Sequence, residues 1–178
     1  MKRSLSLLLS LATSLAPLLG GCTGAGRLLS FPFDPVGGQS LNSLGSDLNP
    51  AVSGRYLAFA SDRRGSQDIY LFDLTTRRLV DVPGLNALDM LASDPAVSED
   101  GQTIVFTGSR QGRTGIYLYD RTTRQLRLLT SGLEAEVRSP TISADGRTIA
   151  FEAAINGQWD ILIYDRNGRP LRVGELGP

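Results

Sequence analysis

The sequence predicts an all-β fold made of repeated four-stranded units, and three observations predict it. An apolar strand is written three times, as Asp68-Ile69-Tyr70-Leu71-Phe72-Asp73, Gly115-Ile116-Tyr117-Leu118-Tyr119-Asp120 and Asp160-Ile161-Leu162-Ile163-Tyr164-Asp165. In each copy an earlier apolar run ends in Phe59, Phe106 or Phe151, always 14 residues before the closing aspartate (73 − 59, 120 − 106, 165 − 151). The units open on Pro50-Ala51-Val52-Ser53, Pro95-Ala96-Val97-Ser98 and Pro140-Thr141-Ile142-Ser143, whose prolines step by 45 (95 − 50, 140 − 95). A fixed period of about 40–50 residues, built of short apolar runs and turn residues, is the sign of a propeller or a solenoid.

Ahead of the repeats, Met1-Lys2-Arg3 is a short basic start, and the leucine-rich stretch that follows carries no charge until Arg27. Residues 1–21 read as a signal peptide and are set apart from the fold. Leu19-Gly20-Gly21-Cys22 resembles a bacterial lipobox, which would make Cys22 the lipidated first residue of the mature protein. An ordinary secretory signal that contains a cysteine, or an uncleaved apolar anchor, are the other readings. Thr23 stands where lipoproteins held at the inner membrane often carry Asp, so the resemblance implies the outer membrane. Cys22 is the one cysteine, which excludes a disulfide within the chain. A lipid chain contributes about 0.8 kcal/mol per buried CH₂, enough for several chains on one residue to anchor a domain without a spanning helix.

Without residues 1–21 the chain keeps 157 residues (178 − 21), enough for one domain with its own core. Lys2 and Arg3 leave with the signal, so 16 bases (18 − 2) face 18 acids, no footprint for nucleic acid. There is no histidine. That excludes histidine acid–base catalysis, Ser-His-Asp and Cys-His nucleophiles, and His-containing zinc sites. Residues 22–45 read as a lipidated tether. Yet Arg27-Leu28-Leu29-Ser30-Phe31-Pro32 echoes Arg78-Leu79-Val80-Asp81-Val82-Pro83, so an extra outer strand is expected within it, unless short apolar runs match by chance.

The propeller domain is expected over 46–178, as units 46–92, 93–138 and 139–178. In the third unit the four strands are expected at Thr141–Ser143, Thr148–Glu152, Trp159–Asp165 and Pro170–Val173. Asp100-Gly101 and Asp145-Gly146 have the composition of hairpin turns, and the first unit keeps only Ser53-Gly54-Arg55 there. Ile69–Phe72 and Ile161–Tyr164 are apolar at consecutive positions, so both faces of those strands must be covered, whereas Leu126-Arg127-Leu128 and Leu171-Arg172-Val173 alternate. A middle strand covered on both sides suits a blade between two neighbours.

These residues resemble the repeat of TolB-like beta-propellers: Pro140-Thr141-Ile142-Ser143-Ala144-Asp145-Gly146 through Phe151, with Ile161 to Asp165, follows the family's blade, as do Pro95 to Phe106 with Ile116 to Asp120 and, less completely, Pro50 to Phe59 with Ile69 to Asp73. The resemblance covers 46–178 and implies a non-catalytic cell-envelope module for protein–protein interaction. It implies as partner an envelope protein of the peptidoglycan-associated lipoprotein kind. It places the chain in the periplasm, held at the outer rather than the inner membrane through Cys22. The resemblance covers the propeller repeat and not the amino-terminal domain that TolB-like proteins carry, and those proteins are normally soluble rather than lipidated. Propellers close with four to eight blades. Three are too few, so a homodimer forming a six-bladed ring is expected, with blade one of each chain against blade three of the other. The alternative is an open wedge whose faces are covered by the amino-terminal segment or another protein.

Asp73, Asp120 and Asp165 recur where the third strand ends. They read as turn-capping residues before they read as ligands on one rim. Unrepeated polar residues are the candidate partner-binding set: Glu134, Glu136 and Arg138 in the connection to the third unit, Arg63 and Arg64 in a hairpin, and Trp159 at a strand start. No catalytic, cofactor or metal residue is assigned, since phosphate-loop and calcium-loop spacings do not occur. The alternative function is a carbohydrate-binding or glycoside-cleaving propeller, which needs carboxylates of different blades about 5–10 Å apart beside an aromatic such as Trp159.

Overall fold

A computed structural model describes residues 40–172. The expected signal (1–21), Cys22, the Arg27–Phe31 echo and Val173 lie outside the described residues. Among those described, every regular element is a strand.

The first sheet holds β1 (Asp47–Ser53), β2 (Tyr56–Ser61), β3 (Asp68–Asp73) and β4 (Arg78–Val80). The second holds β5 (Leu91–Val97), β6 (Thr103–Arg110), β7 (Arg113–Asp120) and β8 (Gln125–Leu128). The third holds β9 (Val137–Ile142), β10 (Thr148–Ile155) and β11 (Gln158–Asp165). Within each sheet sequential strands are antiparallel neighbours. The fourth strand expected at Pro170–Val173 is reduced to a bridge between Tyr164 and Pro170, with the Leu171 N–H donating to the Ile163 carbonyl at 2.7 Å. Pro170 has no N–H to give the ladder, which shortens the pairing.

The first strands start upstream of their prolines, so the expected boundaries at 93 and 139 fall inside β5 and β9. The reason is a bulge repeated in all three sheets. Asn49, Asp94 and Ser139, each just before its proline, have φ of 50°, 48° and 52°, and the pairing register shifts at each of them. A bulge on an edge strand lets a proline sit inside a strand without costing a ladder bond. The bulges also link neighbours: the Asn49 amide donates to the Asp94 carboxylate at 2.9 Å.

The three sheets stack in chain order, and period-2 alternation assigns each residue to one interface. Between the first and second sheets, Ala58, Ala60, Ile69 and Leu71 meet Ile104, Phe106, Tyr117 and Tyr119. Between the second and third, Val105, Ile116 and Leu118 meet Ile149, Phe151, Leu162 and Tyr164. The pattern is directional. One face of each sheet carries the small and aliphatic residues, and the next sheet answers with aromatics. At the turn joining β5 and β6, Gly101 has φ 68°, and a Cβ there would lie 2.4 Å from the Tyr56 ring, so glycine is required both by the turn and by the approach of the first sheet.

Candidate functional site

The directional stacking leaves two end faces. The aromatic face of the first sheet consists of Leu57, Phe59, Tyr70 and Phe72, all buried, with Leu41 and Leu79 packed against them. Phe59 and Tyr70 stack at 5.7 Å between centroids, and the Arg63 guanidinium lies 5.0 and 4.8 Å from their two rings. The Arg63 side chain is itself buried. It donates to the Ser40 and Leu41 carbonyls at 2.9 and 2.7 Å and pairs with Asp47 at 2.5 Å. Burial alone would raise the Asp47 pKa, but hydrogen bonds from Arg63, Ser61 and the Ser43 N–H together outweigh it and hold the carboxyl below its ordinary value. Arg63 is therefore a seal that ties the hairpin, the 40–41 segment and β1 over the rings.

The aliphatic face of the third sheet is different. Register aligns Ile161 with Ile69 and Ile116, which are both 0% exposed beneath the next sheet, whereas Ile161 is 67% exposed. Ala150 and Ile163, a cross-strand pair, share that face. Three polar positions on it break the repeat. Arg138 stands where the other sheets have Leu48 and Ser93, Glu152 where they have Ala60 and Thr107, and Trp159 where they have Gln67 and Thr114. These three residues form one cluster. The Arg138 Nε donates to Glu152 Oε2 at 2.6 Å, and its guanidinium lies 3.8 Å from the Trp159 ring centroid. A guanidinium stacked on an aromatic and hydrogen-bonded to a carboxylate is oriented by both contacts.

Of the candidate residues, the structure thus brings Arg138 and Trp159 together and turns Arg63 into a packing residue. Arg64 lies 5.9 Å from the Tyr70 ring and lines an open cleft of ≈ 430 Å³ with Asp81 and Asn86. The second sheet has the matching cleft, of ≈ 370 Å³ around Tyr117 and Thr130, so it is a feature of the repeat. Glu134 and Glu136 line a cleft of ≈ 600 Å³ with Arg113, Thr114 and Leu133. They come from one connection, and no aromatic lines that cleft. Glu152 and Trp159 are linked through Arg138, which contacts both. Among the described residues, the carboxylates at these two places, Glu134 with Glu136 and Glu152, each come from a single connection or strand.

Sequence reasoning missed Glu152, Ile161 and Ile163. The signal was present for Glu152, since aligning the Phe-ended strands shows Ala60, Thr107 and Glu152 at one position. The repeated aspartates are turn caps. Asp73 accepts from the Thr75 and Thr76 N–H groups, Asp120 from Thr122 and Thr123, and Asp165 from Asn167 and Arg169. Asp120 also pairs with Arg166 at 2.8 Å, which ties the second sheet to the third.

Comparison with known proteins follows the same lines. The family described as TolB beta propeller domain matches residues 39–173. Among solved structures, the chain is similar to TolB from Acinetobacter baumannii, 29% identical over 75% of this chain and 33% of that one with a TM-score of 0.57. It is also similar to a putative TolB from Agrobacterium tumefaciens, 27% identical over 67% of this chain and 43% of that one with a TM-score of 0.54. The beta-propeller domain of the trilobed protease from Pyrococcus furiosus shares the fold alone, at 17% identity and a TM-score of 0.53 over 72% of this chain and 42% of that one. The chain spans less than half the length of each of these three. No curated protein sequence matches it.

Proposed function

The chain belongs to the TolB beta-propeller family, and from that premise we propose that it is a non-catalytic protein-interaction module of the cell envelope. The observation that carries this reading is the third sheet's end face, where Ile161 and Trp159 stand 67% and 41% exposed around an oriented Arg138–Glu152 pair. Aromatic and arginine side chains on an exposed apolar patch are the composition of a protein contact rather than of a catalytic centre. We place the module in the periplasm, held at the outer membrane by lipid on Cys22, with an envelope protein of the peptidoglycan-associated lipoprotein kind among its partners. The lipobox-like Leu19-Gly20-Gly21-Cys22 supports that placement.

Two experiments test it. A photo-crosslinking amino acid at position 161, in cells, is expected to give a protein adduct that the same amino acid at exposed Arg77 does not give; no adduct at 161 would remove the interaction reading. For the anchor, Cys22→Ser is expected to move the protein from the membrane to the soluble fraction. An unchanged distribution would rule out lipid on Cys22.

A further inference from the structure

We propose that the third sheet's end face is a self-complementary patch that seats a second copy of this chain, face to face about a two-fold axis. The inference rests on the reading of that face as a protein contact and names its occupant.

Three observations lead there. First, the face is built for contact. Its aliphatic positions, Ala150, Ile161 and Ile163, match those that the next sheet covers in the first two sheets, where Ala58, Ile69, Leu71, Ile116 and Leu118 are at 0% exposure. Second, among the described residues no aromatic face is free to answer it. Inside the chain an aliphatic face is met by an aromatic one, and the one aromatic face left at the end of the stack, that of the first sheet, is sealed by Arg63 and Leu41 with Phe59 only 2% exposed. Head-to-tail stacking of copies, the arrangement of the expected six-bladed ring, would have to break the buried Arg63–Asp47 pair and its two carbonyl contacts. A second copy therefore meets the open face with the same open face. Such an isologous contact closes after two copies.

Third, the charges fit a two-fold. Glu152 stands at the position of Ala60 and Thr107, which the next sheet covers, so burying it is costly unless an opposite charge meets it. A two-fold contact reads the patch against itself. Arg138 and Glu152, 2.6 Å apart in one copy, each come beside the opposite charge of the other copy, so that a four-membered network replaces two separate pairs. The apolar Ile161, Ile163 and Trp159 supply the buried area around it.

The test is the mass of the full chain in a mild detergent, by light scattering with the detergent mass subtracted, between about 1 and 100 µM, the range that brackets a small interface. The wild-type protein is expected to reach a mass of two chains as concentration rises, and Ile161→Arg to remain at one. Arg138→Glu and Glu152→Arg each place like charges against themselves across the two-fold and are each expected at one chain. Their equimolar mixture is expected to return to two, because each copy now carries the other's complement. The double variant R138E/E152R keeps both signs in one chain and is expected to dimerise, which controls for folding. A wild-type protein that stays at one chain throughout, single variants that dimerise as the wild type does, or a mixture that fails to recover would overturn the proposal. Crosslinking from position 161 to a different protein, together with a one-chain mass, would overturn self-association while leaving the interaction reading intact.

Discussion

At one end of the stack Arg63 is folded over Phe59 and Tyr70, its charge met by Asp47 and its remaining donors by backbone carbonyls. At the other end Arg138 lies on Trp159 beside Glu152, half in solvent, with Ile161 bare next to it. Both ends use an arginine over an aromatic with a carboxylate beside it. What differs is how much water remains. The first set is dehydrated and tied to three segments of chain, so removing one member strands another inside the protein. The second is wet and tied to adjacent strands only, so its members are separable and screened. The first end is part of the fold, and the second is a surface with a preferred shape.

The largest expected effect breaks the sealed end. Phe59→Ala removes a 2%-exposed ring from the aromatic face and is expected to lower unfolding free energy by about 3–5 kcal/mol in a urea titration. The aliphatic change at the open end, Ile161→Ser, is expected to stay within about 0.5 kcal/mol in the same titration run dilute enough that single chains predominate. Equal losses would mean that the third sheet's face is covered within the single chain.

Next, Arg63→Ala is expected to cost about 3 kcal/mol, because it leaves Asp47 unpaired at a partly buried site. Arg138→Ala is expected to cost no more than about 1 kcal/mol, since its charge and that of Glu152 remain partly hydrated.

Acid sharpens the contrast. Asp47 is held below its ordinary pKa, so the stability it contributes is present above the unfolded carboxyl value and is lost as pH falls through the folded one. Acid titration below about pH 4 is expected to weaken the wild-type protein, and Asp47→Asn to flatten that part of the profile. An unchanged acid slope would show that Asp47 is not what couples the seal to pH.

The smallest effect reports the open end alone. Trp159 is the single tryptophan, so its emission reads the Arg138 stack without interference. Arg138→Gln is expected to shift that emission while changing stability by about 0.5 kcal/mol or less. An emission spectrum identical to wild type would mean that the stack does not persist in solution.

Repetition decided how much of this could be read in the chain. The strands around Phe59, Phe106 and Phe151, the turn aspartates and the all-β class follow from spacing, because each repeat confirms the others. The bulges before Pro50, Pro95 and Pro140 did not. A proline reads locally as a strand opening, and only pairing with the neighbouring strand shows that the strand begins earlier. Within the candidate site, Arg138 and Trp159 stood out as departures from the repeat, while Arg63 stood out for the same reason and proved to be packing. One dimension cannot distinguish an unrepeated residue that seals a face from one that marks it.

The sequence by itself determined the period, the strands and which residues alternate between faces, since all of these depend on neighbours along the chain. Tertiary structure decided which end face is closed. Ile69, Ile116 and Ile161 are the same residue in the same strand pattern, and the pattern does not say which of them is covered. Burial is a property of what lies opposite, and only the stacking order covers the first two and leaves the third to water.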